Sequence, residues 1–339
     1  MFNLSASLER RRAPAVRVAA SAGWFKREEA IMGTSITAEL WAPHARAAQQ
    51  ALDAVMAEMH RIDQAMSPHR PCSELSRINR DAGGGAVPLS AEMAHLIERA
   101  LAYSRLSGGA FDITYAAVGQ LFDYRQRVRP TEPALQAARA AVGHQHLIFD
   151  ARERTLRFAR PGMRIDLGGF AKGHAVSNAA AILRRLGIEH AMVSAGGDSC
   201  VVGDRRGRPW TIGVRDPRRE GGVVAVLPLQ DVCISTSGDY ERYFDADGVR
   251  HHHLIDPATG RSPQHVHSVT ILGDDGLTTE ALSKCVFVLG VQRGLQLIDT
   301  QPGVDAVVVD AQGVLHHSSG LLAPAGTASS IPTPSGPNQ

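Results

Sequence analysis

The chain has 339 residues, 44% of them hydrophobic and 21% charged, with a formal net charge of +2. Length allows one large or two ordinary domains, and the composition is that of a soluble globular protein. So small a net charge argues against a nucleic-acid-binding surface, and 5% aromatic residues argue against a stacking platform for single strands.

Taken in order, Arg10-Arg11-Arg12 precede a stretch from Ala13 to Trp24 that Pro14 and Arg17 make a poor signal sequence. Residues 1–29 are read as a disordered leader or as the mark of a misassigned start. A cytoplasmic location is favoured over the periplasm or the inner-membrane face for want of a clear signal. No apolar run approaches the length of a membrane span. Residues 30–40 read as a strand begun by a glycine turn. Leu52, Val55, Met56, Met59, Ile62 and Met66 mark one face of a helix from about His44 to Met66. A loop with two prolines, Ser67 to Leu75, follows. Ser90 is placed to cap a second helix with the face Met93, Leu96, Ile97, Ala100 and Leu101, ending at Gly108-Gly109.

A helix near 133–142 and strands at 146–149 and 155–158 lead to Asp166-Leu167-Gly168-Gly169-Phe170-Ala171-Lys172-Gly173. This stretch follows a strand-like approach (Met163, Ile165) and opens a helix whose face is Val176, Ala179, Ala180, Leu183 and Leu186. Gly187 stands where a helix-ending glycine belongs. Two glycines at a helix entrance let a backbone approach a ligand, and the helix N-terminus offers N–H groups to an anion. Both an anion-handling corner and an ordinary tight turn with a surface lysine fit these residues. Further strands are expected at 190–194, 210–214, 223–227, 232–235, 269–272 and 306–309, with a last helix at about 279–289. Helices and strands mix without a βαβ rhythm, so the fold class is α+β. Residues 30–322 form the folded domain, and 323–339, rich in Pro, Ser, Thr, Ala and Gly, a disordered tail. Four cysteines (Cys72, Cys200, Cys233, Cys285), far apart and without CxxC, favour buried thiols over a zinc site or a disulfide framework.

Four other stretches carry candidate chemistry. Ser235-Thr236-Ser237-Gly238 is either a phosphate contact or a polar turn. In His251-His252-His253, neighbours on a strand face opposite ways, so a zinc site is disfavoured; one histidine as a general base is chemically easier. Phe111-Asp112 after the glycine pair is a candidate nucleotide contact or a plain helix end. Glu280 and Lys284, at i,i+4 on a helix, read equally as a surface ion pair.

In this order, the motifs resemble the ApbE family, the FAD:protein FMN transferases. The resemblance runs from Met32-Gly33-Thr34 through Ser73–Asn79, Gly109–Asp112, Asp166–Gly173, Gly196–Asp198, Thr236–Tyr240 and His253–Pro257 to the Glu280 helix. It implies an ApbE-type fold of two related subdomains around a ligand cleft. It further implies transfer of FMN from FAD to a Thr or Ser hydroxyl of a target flavoprotein, with release of AMP and help from Mg²⁺. The target implied is a flavoprotein of a membrane electron-transport or reductase system. By the same resemblance Met32, Ala110, Phe111, Asp112, Asp166, Lys172 and Leu254 line the FAD site, together with His69, which stands where the family has a tyrosine. His253 is the general base, and Gly169, Glu280 and Ser283 hold the metal. The family helix reads Ala-Asp-Ala-Leu-Ser-Thr; this chain reads Thr279-Glu280-Ala281-Leu282-Ser283-Lys284. Lys284 matches a ligand position, yet a protonated ammonium has no lone pair for a metal. Three outcomes stay open: a transferase with a drifted metal site, a metal-independent transferase or FAD hydrolase, and an FAD-binding protein without turnover.

Overall fold

Around Met32-Gly33 the chain closes into a hairpin of β1 (Gly23–Ile31) and β2 (Thr34–Ala42). Ile31 pairs with Thr34, which leaves a two-residue turn. Met32 (φ 54°) and Gly33 (φ 70°) both adopt the left-handed conformation that such a turn demands. The structure, a computed structural model, describes residues 21–219 and 221–321. The leader expected over 1–29 is corrected from Gly23 onward, because that segment is a sheet-edge strand. Lys26, Arg27, Glu28 and Glu29 give it the charged character of an edge, and so a weak hydrophobic signal. Residues 1–20 and the expected tail at 323–339 lie outside the described residues.

Next come α1 (Ala45–Met66), α2 (Glu74–Asp81), β3 (Val87–Pro88), α3 (Ala91–Leu106), α4 (Ala116–Gly119) and α5 (Glu132–Arg139). The spaced apolar residues of α1 are its buried face, and the His44 side chain caps it by accepting the Ala47 N–H. Ser90 caps α3 by accepting the Met93 N–H at 3.1 Å. β4 (Leu147–Asp150) and β5 (Thr155–Phe158) join β3 in a small sheet. α6 (Ala171–Arg185) then ends at Gly187, whose φ of 74° turns the chain out of the helix.

The remaining elements are β6 (Ala191–Ala195), β7 (Asp198–Val202), β8 (Trp210–Arg215), β9 (Val223–Leu229), β10 (Cys233–Gly238), β11 (Tyr243–Ala246), β12 (Val249–His252), β13 (Val266–Gly273), α7 (Gly276–Asp299), β14 (Asp305–Asp310) and β15 (Leu315–His317). An eight-stranded sheet in the order β1-β2-β6-β7-β10-β13-β14-β15 is the backbone of this α+β fold. Alternation along its strands separates two cores. Cys200, Val202, Cys233 and Ile271 face α1, α6 and α7. Val201, Ile234 and Leu272 face away and pack under Trp210 and Leu229 of the β8–β9 hairpin. Within α7, Gly290 (φ 80°, ψ 176°) interrupts the helical backbone just beyond the expected end at 289.

Cys200 on β7 and Cys233 on β10 are direct cross-strand partners and form a disulfide. This corrects the expectation of four buried thiols: Cys285 is one, while Cys72 is exposed. The two bonded cysteines are 33 residues apart, and only sheet pairing makes them neighbours.

Candidate active site

The approach to Asp166 is extended chain, not the strand expected there. The Asn79 amide clamps it, donating to the Ile165 carbonyl at 2.9 Å and accepting the Ile165 N–H at 2.8 Å. A side chain thus supplies the pairing that a neighbouring strand would have given. Asp166 Oδ1 then accepts the Gly168 N–H at 2.5 Å, with the Tyr115 hydroxyl 3.5 Å away. Burial, reinforced by the Asp166 charge, pushes the Tyr115 phenol well above its usual pKa. Phe111 is buried between Tyr103 and Phe170, and a Cβ on Gly169 would stand 3.2 Å from its ring.

From this corner α6 starts across the first turns of α7. Their closeness places Lys172 and Glu280, 108 residues apart in sequence, in a direct ion pair. Glu280 is fully buried. Its Oε2 accepts the Gly173 N–H at 2.7 Å, and its Oε1 also lies 3.4 Å from the Lys284 ammonium. The surface-pair reading of Glu280 and Lys284 is therefore wrong.

The sheet supplies the other side. Cys200 faces the helices, so Asp198, two residues earlier on β7, faces them too. The same parity turns Ser235 and Ser237 of β10 toward α7. Asp198 Oδ2 pairs with Lys172 at 2.8 Å, and Asp198 Oδ1 accepts the Ser235 hydroxyl at 2.6 Å. Ser283 donates to the Glu280 carbonyl at 2.7 Å, so Ser237, 2.7 Å from Ser283 Oγ, is the donor in that contact. Burial disfavours the charge on Lys172, but Asp198 and Glu280 outweigh it and raise the ammonium above its ordinary pKa. Burial likewise opposes the Asp198 charge, and Lys172 and Lys284 reverse this, lowering its pKa. At Lys284 burial prevails and the pKa is lowered, despite Glu280 and Asp198.

His253 follows the end of β12, its N–H donating to the Arg242 carbonyl at 3.1 Å. Its Nδ1 is buried without a hydrogen-bond partner among the described residues. Burial first, then the charge of Lys284, lowers its pKa to about 3. The three histidines diverge: His251 stacks on Phe244, and His252 bonds the Pro263 carbonyl through Nε2 and packs edge-on against Phe287.

The structure thus brings together Gly169, Lys172, Glu280, Ser283 and Lys284, with Phe111 behind Gly169 and Asp166 at the entrance. Leu254 is buried beside His253. Ala110 is half-buried in the turn after Gly109, and Met32 sits half-buried in the β1–β2 turn, where the Arg242 guanidinium approaches Gly33. Two expected residues depart. Asp112 is a local cap: Thr114 bonds its Oδ1 through N–H and hydroxyl, and the His144 N–H bonds its Oδ2 at 2.6 Å. Its carboxylate is occupied by the protein's own donors rather than presented to a nucleotide. His69 is exposed on the turn after α1, and no contact among the described residues joins it to the corner. Sequence gives Asp198 no role beyond its motif and reads Ser235 and Ser237 only as a phosphate contact or a polar turn; period-two alternation from Cys200 and Cys233 carries the signal that turns them toward the helices.

A magnesium ion asks for about six oxygen ligands at about 2.0–2.1 Å in near-octahedral array. Here all four carboxylate oxygens of Asp198 and Glu280 already accept protein hydrogen bonds. Ser283 is engaged by Ser237, and an ammonium stands at the position of the expected last ligand. Among the described residues no cluster of three or more His, Cys, Asp or Glu is arranged to hold a metal. The donor set does not fit Mg²⁺.

Known proteins share this architecture. The ApbE family pattern matches residues 32–308. The chain is 31% identical over 318 residues to an FAD:protein FMN transferase of Treponema pallidum, covering 88% of each chain. It is 33% identical over 274 residues to one of Vibrio cholerae, covering 78% of this chain and 81% of that one. The crystal structure of the ApbE protein from Thermotoga maritima superposes with a TM-score of 0.81 at 32% identity, covering 88% of this chain and 98% of that one. The flavin transferase ApbE from Vibrio cholerae superposes with a TM-score of 0.79 at 29% identity, over 88% of this chain and 98% of that one. With the family pattern running from the Met32-Gly33 turn through the Asp166–Gly173 corner to the α7 site helix, the chain belongs to the ApbE family.

Proposed function

We propose that this chain is an FAD:protein FMN transferase. The observation that carries the reading is the charge-balanced set of Lys172, Asp198, Glu280 and Lys284, whose Lys284 charge reaches a histidine, His253, with no Nδ1 partner among the described residues. Phosphoryl transfer asks for positioning, charge neutralisation and removal of a hydroxyl proton. In this reading a Thr or Ser hydroxyl of the acceptor attacks the phosphate nearer the riboflavin. The new O–P bond forms as the P–O bond to AMP breaks, and the electron pair leaves with AMP. His253 takes the hydroxyl proton at Nδ1. Asp166, Phe111, Ala110, Met32 and Leu254 border the FAD, and Lys172 faces its phosphates. Mg²⁺, which the family resemblance implies, is given no step.

The acceptor proposed is a flavoprotein of a membrane electron-transport or reductase system. The Cys200–Cys233 disulfide supports an oxidising compartment for the encounter, since such bonds persist outside the reducing cytoplasm. The test is AMP release from FAD with and without an acceptor domain, followed by mass spectrometry of the acceptor. Acceptor-dependent AMP with an FMN adduct on one Thr or Ser supports the transferase. AMP released equally without acceptor makes the chain an FAD hydrolase. FAD binding without AMP makes it a binding protein.

A further inference from the structure

Among the described residues the site holds two lysines against two buried carboxylates, and the lysines differ in how firmly they are held. Lys172 is clamped between Asp198 and Glu280. Lys284 makes only long contacts, 3.4 Å to Glu280 Oε1 and 3.3 Å to Ser283 Oγ. An ammonium has three donors, so Lys284 keeps hydrogen-bonding capacity that the protein leaves unused. Its side chain retains 18% exposure where Glu280 has none. It lies against the glycine corner, since a Cβ on Gly169 would stand 3.9 Å from Lys284 Cγ. The loosely held cation therefore stands against the glycine corner at the α6 entrance.

We propose that the Lys284 ammonium is a built-in counter-charge for the FAD diphosphate, so that this protein binds FAD and transfers FMN without a divalent metal. This rests on the transferase reading above and adds to it the source of the neutralising charge. A lysine suits the task as a compact point charge on a flexible stem. It holds the diphosphate oxygens while the acceptor oxygen bonds to phosphorus, the P–O bond to AMP breaks and the proton passes to His253. A dication in the same place would need oxygens already engaged by Lys172, Ser235 and the Gly173 N–H. It would also meet the repulsion of two ammonium groups, which is twice as strong for a divalent as for a monovalent ion.

The test is FAD binding to the full chain, titrated by flavin fluorescence in excess EDTA and again in Mg²⁺, for the wild type, Lys284→Thr and Lys284→Met. The wild type is expected to bind FAD equally in both buffers, within about twofold. Lys284→Thr and Lys284→Met should both lose about tenfold or more in EDTA, as expected for loss of a charge-assisted hydrogen bond. Mn²⁺ followed by electron paramagnetic resonance gives a readout independent of flavin. The wild type should show no stoichiometric Mn²⁺ site, with or without ADP. A wild type whose FAD affinity falls tenfold or more in EDTA, or that binds one Mn²⁺, overturns the inference and leaves the transferase reading standing. FAD affinity unchanged in both Lys284 variants overturns it too. No FAD binding in either buffer by a wild type shown to be folded by circular dichroism overturns both.

Discussion

Gly173 of α6 and Gly276 of α7 lie so close that a Cβ on Gly173 would stand 2.0 Å from the Gly276 carbonyl oxygen and 3.0 Å from Glu280 Cβ. Neither neighbour is the free end of a side chain, so Gly173→Ala has to push the helices apart. Overpacking of this kind costs about 1–3 kcal/mol or more. A lowered melting temperature, by about 3 °C or more, is expected from thermal unfolding, with weakened FAD binding because Lys172 loses its fit to Glu280. An unchanged melting temperature would show that the helices tolerate the methyl group and that their contact does not hold the site.

Replacing His253 with Ala separates chemistry from binding. A positioned general base contributes about 10²–10⁴-fold to rate. The variant should lose that much in single-turnover transfer while its FAD dissociation constant stays within about threefold. Equal losses in both would assign His253 to the binding surface instead.

The depressed pKa of His253 has a definite pH signature. In the unfolded chain its imidazole takes a proton near 6.5, whereas the folded site resists until about 3. Between these values the unfolded state binds more protons, so this residue's contribution to stability is intact above about 6.5 and is lost as pH falls toward 3. Burial is the larger cause of the shift and Lys284 the next. Lys284→Met should therefore raise the His253 pKa part of the way back, as read from the imidazole Cε1 proton by nuclear magnetic resonance, with His253→Asn to assign the signal. A His253 pKa unmoved by the change would show that Lys284 does not act on the imidazole.

For Asp112 the structure makes an unusual demand: loss without functional consequence at the flavin. Asp112→Ala strips hydrogen-bond partners from Thr114 and from the His144 N–H. Each donor left buried and unsatisfied costs about 1–3 kcal/mol. Urea unfolding should show the stability loss, while FAD affinity measured below the unfolding range should stay within about twofold. A selective loss of FAD affinity with intact stability would restore Asp112 to the binding site.

The long amphipathic segments were readable because their burial is local in sequence. α1 buries the face its spacing indicates, α6 buries its own except Leu186, which stands exposed at the helix end, and Ser90 and Gly187 mark ends as cap chemistry directs. The charged edge strand β1 carries no comparable signal, nor does the approach to Asp166, whose pairing comes from Asn79 across 86 residues. Site membership divided the same way. Lys172, Gly169, Glu280, Ser283 and Lys284 sit in recognisable motifs at the starts or first turns of helices. Asp198 and Ser235 acquire meaning only when β7 and β10 pair, which also hid the Cys200–Cys233 bond. Asp112 shows the opposite failure, a motif residue whose carboxylate serves the backbone around it.

The balance of Lys172 and Lys284 against Asp198 and Glu280 also bears on how FAD arrives. Such a set cancels its own field within a few ångströms, and the chain as a whole carries only +2. A diphosphate diffusing toward it meets little long-range electrostatic steering, so the rate of encounter should change little with ionic strength. Discrimination among nucleotides then rests on how long each stays. The flavin end, which the proposed function places near Phe111 and Asp166, is the part of FAD that a lone ADP or ATP cannot supply.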